Sequence, residues 1–245
     1  MNKRLAVFNT LALIAVLMVN YLSNALPING QTAGEISDRL NVLFTPAGYV
    51  FSIWGLIYVL LIIWVIAQFL PKTKNSPVYE SVGYWFVISS ALNIAWLLLF
   101  HYERFNLTMV AMLGLLISLI IIYIKIDQSV GRSLFRVPFS VYLGWVSVAT
   151  IVNVGIVLTV NDVSTFGIAP EVWTAILLVV ATALGVWFMR YNHDLIYPLV
   201  FIWAFIGIAV ERSEYPIIVY TAWAMVAILV ILIVIQFVRR RVVRI

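Results

Sequence analysis

Eight long apolar runs constrain this sequence more than any other feature. A hydrocarbon core about 30 Å thick requires roughly 20 apolar residues per helix, and a backbone in lipid must satisfy its own hydrogen bonds. The chain is 64% hydrophobic and 10% charged, which is far from the composition of soluble domains. We therefore predict an all-α integral membrane protein. The predicted helices are 5–26, 49–70, 82–100, 107–126, 138–160, 172–189, 195–210 and 216–238.

Positive charge predicts the orientation of these segments, because Lys and Arg are enriched in short cytoplasmic loops. Alternating the loops places 12 of the 15 Lys and Arg residues on one side and leaves Arg39, Arg104 and Arg212 on the other. The seventh segment is short enough to be re-entrant or merely buried, but removing it would move the Arg-rich tail to the other side. The charges thus favour eight helices, both termini in the cytoplasm, and a multi-pass protein of the cell membrane.

The residues that usually carry catalysis or metal binding are scarce. The chain has no Cys, no HExxH, GxSxG or phosphate-binding motif, and almost no ionisable residue inside the apolar segments. We interpret His101 and His193, at predicted helix ends, as interfacial. The net charge of +5 is explained by the loop bias and by a basic tail that can lie against lipid headgroups. We predict no metal site, no catalytic residue, no required cofactor and no nucleic-acid partner.

The helices instead carry amide and indole side chains at helical spacing. Such residues can line a ligand site, but a membrane Asn also bonds neighbouring helices and a Trp also anchors helix ends. The predicted topology would let them converge beneath the connection between the first two helices. That connection, about twenty residues long, is predicted to be either a lid or a plain connector. The spaced residues are Asn20 and Asn24, Trp54 and Tyr58, Asn93 and Trp96, and the stripe Trp145, Ala149, Asn153.

Three motifs in order resemble the tryptophan-rich sensory proteins, the TspO/MBR family, which are bacterial relatives of the mitochondrial translocator protein or peripheral benzodiazepine receptor. FTPAGYVFSIWGLIYVLLIIW is similar to the family signature around its second helix, ALNIAWLLLF to that of the third and YLGWVSVATIVN to that of the fifth. The sequence departs from the pattern at Phe44, where Trp is usual, at Ala47, where a second Pro is usual, and at Leu97, where Ser is common. The matching residues are Thr45, Pro46, Val50, Phe51, Trp54, Tyr58, Asn93, Trp96, Phe100, Tyr142, Trp145, Val146, Ala149 and Asn153.

The resemblance implies a five-helix bundle over residues 1–160, to which residues 161–245 add a three-helix extension with a basic cytoplasmic tail. It also implies a pocket for flat hydrophobic molecules, such as porphyrins and sterols, closed by the loop between the first two helices. Thr45 and Pro46 would form the hinge of that lid, and Asn20 and Asn24 are added to the lining from the predicted topology. The implied ligand-binding residues are Trp54, Tyr58, Asn93, Trp96, Phe100, Trp145, Ala149 and Asn153.

The function expected from this resemblance is a receptor or sensor of a tetrapyrrole- or sterol-like ligand, with a porphyrin or haem-type molecule as the candidate. A transporter or efflux facilitator is an alternative, although the scarcity of intramembrane charge disfavours coupled transport. A porphyrin-degrading enzyme and a purely structural role are further alternatives, with non-enzymatic function favoured. The expected partners are the lipid bilayer, the ligand and, for the assembly, a second copy in a homodimer.

Overall fold

The computed structural model describes residues 3–26, 28–163 and 167–242, and within these parts the chain forms helices and no strand. Each predicted apolar segment coincides with one long helix, while α2 and α4 are short helices inside connections. The end of the predicted basic tail, including Arg244, lies outside the described residues. The helices are α1 Lys3–Ala25, α2 Ala33–Leu40, α3 Ile53–Ala67, α4 Val78–Val82, α5 Trp85–His101, α6 Phe105–Val130, α7 Val137–Val160, α8 Pro170–Asn192, α9 Tyr197–Glu211 and α10 Pro216–Val242.

Six candidate spans are long and apolar enough to cross a membrane, as judged by length and composition of the described helices. They contain α1, α3, α6, α7, α8 and α10, with α3 extended by the 3-10 helix Gly48–Ser52 and α7 by the 3-10 helix Leu134–Arg136. The other two apolar helices, α5 and α9, have 17 and 15 residues. At 1.5 Å per residue α9 extends only about 22 Å, less than a typical hydrocarbon core. The chain is therefore a multi-pass membrane protein.

Proline and left-handed residues mark several helix ends. Pro138, Pro170 and Pro198 lie in the first turns of α7, α8 and α9, where a missing backbone N–H is tolerated. Gly131 follows α6 with a φ of 63°, and His193 ends α8 with a φ of 51°, a conformation that terminates helices. The successive long helices α5 and α6, α6 and α7, α8 and α9, and α9 and α10 pack on one another.

Five helices form a closed ring in which α1 packs on α3, α3 on α7, α7 on α6, α6 on α5, and α5 on α1. One end of the ring is filled by Trp64, which stacks on Phe86 at 5.1 Å between ring centroids and meets Phe139 edge-on at 5.3 Å. All three side chains are at most 2% exposed. Of the predicted amide and indole residues, Trp54, Trp96 and Asn153 lie toward the opposite end, where α3 begins and α5 and α7 end, and Trp145 lies nearer the middle of α7.

The last three helices pack on one another, and α9 joins them to the ring through α7. This junction is close: a Cβ on Gly144 would lie 3.0 Å from the Val200 side chain and 3.1 Å from the Tyr197 carbonyl oxygen. Most of α9 is buried between α7, α8 and α10. The division of the chain at residue 160 stays a prediction.

Candidate functional site

A chain of amide and phenol groups links three helices inside the ring. The Asn20 amide of α1 donates to Asn93 Oδ1 of α5 at 3.2 Å, and the Asn93 amide donates to the Tyr142 hydroxyl of α7 at 2.9 Å. Asn93 is only 1% exposed and Tyr142 only 4%. Because an unpaired polar group in this setting is costly, the chain fixes the relative positions of α1, α5 and α7.

An aromatic cluster surrounds the Tyr142 end of this chain. Trp54 stacks on Tyr58 at 5.6 Å and meets the Tyr142 and Trp145 rings edge-on at 5.8 and 6.4 Å. Phe51 also meets the Trp145 ring edge-on, at 5.6 Å between ring centroids. The i, i+4 spacing of Trp54 and Tyr58 places both rings on the face of α3 that is directed toward α7. Trp54 and Tyr58 remain partly accessible, whereas Trp145 is 2% exposed.

Two hydrogen-bond donors in this cluster are shielded from solvent and have no partner among the described residues. They are the Tyr58 hydroxyl and the Trp145 indole N–H. Leaving such a donor unsatisfied typically costs about 1–3 kcal/mol, so sites of this kind are usually filled or functional. Together with the ring faces, they offer flat apolar contact and two donors for an acceptor group.

A second group of predicted residues lies nearer the loop. The Trp96 indole N–H donates to Asn153 Oδ1 at 3.1 Å, which joins α5 to α7, and the Asn153 amide faces the Met109 sulfur at 3.5 Å. Trp96 also stacks on Phe100 at 5.4 Å. Ala149, half-buried, lies one turn from both Trp145 and Asn153 on α7. In this group the polar atoms of Trp96 and Asn153 satisfy each other.

The remaining predicted residues are placed differently. Asn24 is exposed and donates to the Asn20 carbonyl of its own helix at 2.8 Å, so it does not join the cluster. Thr45 and Pro46 are buried, and Pro46 packs against α9 near Gly207. His101, which we expected at the interface, is fully buried because the loop covers the end of α5.

The connection between α1 and α3 is a folded cover over this end of the ring. Its helix α2 begins with a capping box, in which Thr32 and Glu35 bond each other's backbone, and the Thr32 backbone and hydroxyl groups lower the pKa of Glu35. Arg39 pairs with Glu103 at 2.6 Å, and the Asn29 amide donates to the His101 carbonyl at 3.1 Å. These contacts attach the cover to the end of α5.

Helix α9 holds the other end of the cover. Arg212 donates to Asn41 Oδ1 and to the Val42 carbonyl, both at 3.1 Å, and the Trp203 indole donates to the Val50 carbonyl at 3.0 Å. The Ala47 amide donates to the Gly207 carbonyl at 3.2 Å. We call these contacts the α9 latch. They give the last three helices a direct contact with the segment that precedes Trp54.

Sequence reasoning missed several of these residues. Tyr142 lies three residues before Trp145 and belongs to the quoted YLGW motif, so helical spacing would have found it. Arg39 and Arg212 were noted only as exceptions to the positive-inside rule, and each turns out to hold the cover through a named partner. An arginine on the side of the membrane that carries few basic residues was therefore the sequence signal that could have identified these two residues as structural contacts.

The family model described as TSPO-like protein matches residues 6–235, a range that includes α8, α9 and most of α10. Comparison with curated proteins and with solved structures finds no match. On the extent of the family match, the chain belongs to the TSPO-like family.

Proposed function

We propose that this protein is a membrane receptor or sensor that binds a flat hydrophobic molecule, of the tetrapyrrole or sterol type, in the aromatic cluster beneath the cover. The observation that carries the proposal is the pair of unpartnered donors, the Tyr58 hydroxyl and the Trp145 indole N–H, beside the Trp54 ring. Membership of the TSPO-like family supports it.

Ring contacts define how such a ligand would be held. Trp54 touches Tyr58, Tyr142 and Trp145, so a planar molecule would enter by replacing some of these contacts with its own faces. The exchange costs little, since stacking on the ligand substitutes for stacking between side chains. The two free donors would then bind a carbonyl, carboxylate or hydroxyl oxygen. A tetrapyrrole with propionate groups meets both requirements.

A receptor accounts for the α9 latch better than a transporter does. A ligand that displaces Trp54 would also move Val50, four residues earlier, whose carbonyl is bonded by Trp203. Binding would thereby alter contacts with the last three helices, which is what a sensor output requires. The scarcity of charged groups in the cluster gives a coupled transporter no ion path.

We infer eight membrane crossings with both termini in the cytoplasm of a cell-membrane protein. If the eight apolar helices alternate in direction, Arg39, Arg104 and Arg212 are the basic residues on the cover side, as the positive-inside rule favours. The short helices α5 and α9 would cross where neighbouring helices bury them. Because the chain has no Cys, single cysteines can be introduced at Lys74 and at Asn106 and labelled in intact cells with a membrane-impermeant thiol reagent. Labelling at one position and not at the other would support opposite exposure of the two ends.

The binding proposal is tested by titrating purified protein with protoporphyrin IX in the dark and following Trp fluorescence. Tyr58→Phe removes one hydroxyl and Trp145→Phe removes the indole N–H, while each keeps an aromatic ring. Loss of a hydrogen bond worth about 1 kcal/mol weakens binding roughly fivefold. Trp96→Phe reports on the second group, and Trp187→Phe, which changes an exposed Trp on α8, is the matched control.

Saturable quenching in the wild type and in Trp187→Phe, weakened several-fold by Tyr58→Phe or Trp145→Phe with helicity intact by circular dichroism, supports the site. Linear quenching that none of the substitutions changes would exclude tetrapyrrole binding at this cluster. The same titration with a fluorescent sterol separates the two ligand types. Light scattering during size-exclusion chromatography of these samples tests the predicted homodimer.

A further inference from the structure

A basic cavity of about 900 Å³ lies at the end of the protein opposite the cover. It is formed where α6 connects to α7, where α8 ends and α9 begins, and near the end of α10. Its volume is in the range of small-molecule sites. Among the described residues, four arginines line it, Arg132, Arg136, Arg190 and Arg239, together with a single carboxylate, Asp194.

Three of these arginines are free to bind a ligand. Arg132, Arg190 and Arg239 are exposed and form no hydrogen bond or ion pair with any described residue. They come from three separate segments: the connection after α6, the last turn of α8 and the end of α10. The positive-inside bias explains why arginines occur on this side, but it does not require three segments to direct them to one cavity.

Acidic groups at the cavity do not neutralise these three arginines. Asp194 is 4% exposed, and its Oδ2 accepts from Tyr123, Ser140 and Arg136 at 2.7, 2.6 and 3.1 Å. Its Oδ1 accepts the Ile196 and Tyr197 amides at the start of α9. Arg136 pairs in addition with Asp127 at 2.6 Å. The buried Arg136–Asp194 pair is therefore satisfied within the protein, and Arg132, Arg190 and Arg239 leave a net positive charge at the cavity.

A hydroxyl and an apolar wall complete the cavity. The Ser133 hydroxyl, which lines it, is shielded from solvent and has no partner among the described residues. Leu195, Ile196, Leu232 and Ile235 also line it, so one wall is aliphatic. Arginine forks match phosphate oxygens in geometry, and basic pockets between transmembrane helices bind anionic headgroups.

We propose that this cavity binds a phosphate group, with Arg132, Arg190 and Arg239 as its cationic contacts and the Ser133 hydroxyl as a further donor. The same chemistry would hold the headgroup of an anionic phospholipid or a soluble phosphate compound. The aliphatic wall favours the lipid, because it provides a surface for the first methylenes of an acyl chain. The site is separate from the aromatic cluster and does not depend on the function proposed for it.

The test measures thermal unfolding of the full chain in detergent while dioleoyl phosphatidylglycerol or dioleoyl phosphatidylcholine is added. A parallel series adds sodium phosphate or sodium chloride at matched ionic strength. The variant Arg190→Gln/Arg239→Gln removes two exposed cationic contacts. The matched control Lys3→Gln/Arg4→Gln removes the same charge from exposed positions on the predicted cytoplasmic end of α1. Ser133→Ala tests the hydroxyl without changing charge.

We expect phosphatidylglycerol to raise the unfolding temperature saturably while phosphatidylcholine does not. Each basic residue near an anionic headgroup contributes about 1 kcal/mol, so the arginine double variant should lose about 2 kcal/mol of binding free energy. Since about 1.4 kcal/mol corresponds to a tenfold change, the apparent affinity should fall about 30-fold. The control should stay within twofold of the wild type. Stabilisation by inorganic phosphate that is lost in the same variant, with no lipid effect, would identify a soluble phosphate compound as the ligand.

Two outcomes would overturn the proposal. If neither phosphatidylglycerol nor phosphate stabilises the wild type more than its matched reagent, the cavity does not bind phosphate. If Lys3→Gln/Arg4→Gln loses as much affinity as the arginine double variant, the attraction is a diffuse property of the basic face and not of the cavity. The substituted arginines are exposed and unpaired, so both double variants should elute and fold as the wild type does.

Discussion

Gly207 is the closest point of the α9 latch, and replacing it with Ala tests whether α9 holds the cover. A Cβ at this position would lie 2.2 Å from Val50 Cγ2 and 3.2 Å from Pro46 Cβ. Real Cβ atoms do not approach another carbon to 2.2 Å, so the cover or α9 must shift. The shift would also strain the bond from the Ala47 amide to the Gly207 carbonyl.

The free-energy cost of Gly207→Ala depends on whether the side chains around the new methyl group can move away from it. Val50 is fully buried and β-branched, so its side chain cannot rotate away from the new methyl group without another clash. Inserting a methyl group into such a contact costs about 1–3 kcal/mol. Ala also stabilises a helix by about 1 kcal/mol relative to Gly, but α9 stays helical when the cover opens. The helix propensity of Ala is therefore the same in the closed and open states, and the clash destabilises only the closed state. A destabilisation of about 2 kcal/mol raises the population of the open state roughly 30-fold.

Hydrogen exchange followed by mass spectrometry measures this opening directly. Peptides that cover residues 41–52 should exchange about 30-fold faster in Gly207→Ala, while peptides from α8 should not change. Gly55→Ala is the matched control, because a Cβ on Gly55 of α3 meets no atom within 4 Å. The double variant Gly207→Ala/Val50→Ala removes the clashing methyl group and should return part of the protection.

Equal exchange in Gly207→Ala and Gly55→Ala would refute the reasoning, since the close approach would then not restrain the cover. Accelerated exchange that Val50→Ala fails to reduce would also contradict it, because the cause would lie outside the Val50 contact. Accelerated exchange throughout the chain would mean that the substitution disturbs α9 packing as a whole and does not act on the cover alone.

Three further perturbations test other contacts. Asp194→Asn removes one of the two carboxylates that pair with the buried Arg136, which keeps Asp127, and should lower the free energy of unfolding by about 1.5–3 kcal/mol in detergent. A loss under about 1 kcal/mol would contradict this. Burial alone would raise the pKa of Asp194, but hydrogen bonds and the Arg136 charge hold that pKa below its ordinary value of 3.8. The contribution of Asp194 to stability should therefore persist above about pH 4 and disappear as the pH falls further. Acid titration of unfolding should show this loss of stability in the wild type and not in Asp194→Asn. Thr32→Ala should cost α2 about 1 kcal/mol of local stability by hydrogen exchange, more than Arg39→Gln, whose pair with Glu103 is largely exposed.

The apolar runs predicted where the long helices lie but not where they end. The run 107–126 corresponds to α6, which continues to Val130 because Lys125, Asp127 and Gln128 are compatible with a helix until Gly131 adopts a positive φ. Segment 49–70 begins instead with the 3-10 helix Gly48–Ser52. Hydropathy reports the thickness of the bilayer, whereas helix ends are determined by local backbone chemistry.

The sequence also predicted which side chains share a helix face, since the i, i+4 spacing of Trp54 and Tyr58 or of Trp145 and Ala149 is a property of one helix. Pairing between helices could not be predicted in this way. The bond from Asn20 to Asn93 joins residues 73 apart in sequence, and the bond from Trp203 to Val50 joins residues 153 apart. Such contacts depend on the order of helices around the ring, which loop lengths alone leave open.

Val50 connects the two parts of the molecule that the sequence could only treat separately. Its carbonyl accepts the Trp203 indole and its side chain faces Gly207, so it is held by α9. Phe51, the next residue, contacts Trp145, and Trp54 begins the face of α3 that carries the free Tyr58 hydroxyl. The 3-10 helix Gly48–Ser52 leads directly into α3, so Val50 and Trp54 lie four residues apart in one continuous helical segment. The cover thus contacts both the aromatic cluster, through Phe51, and α9, through Val50.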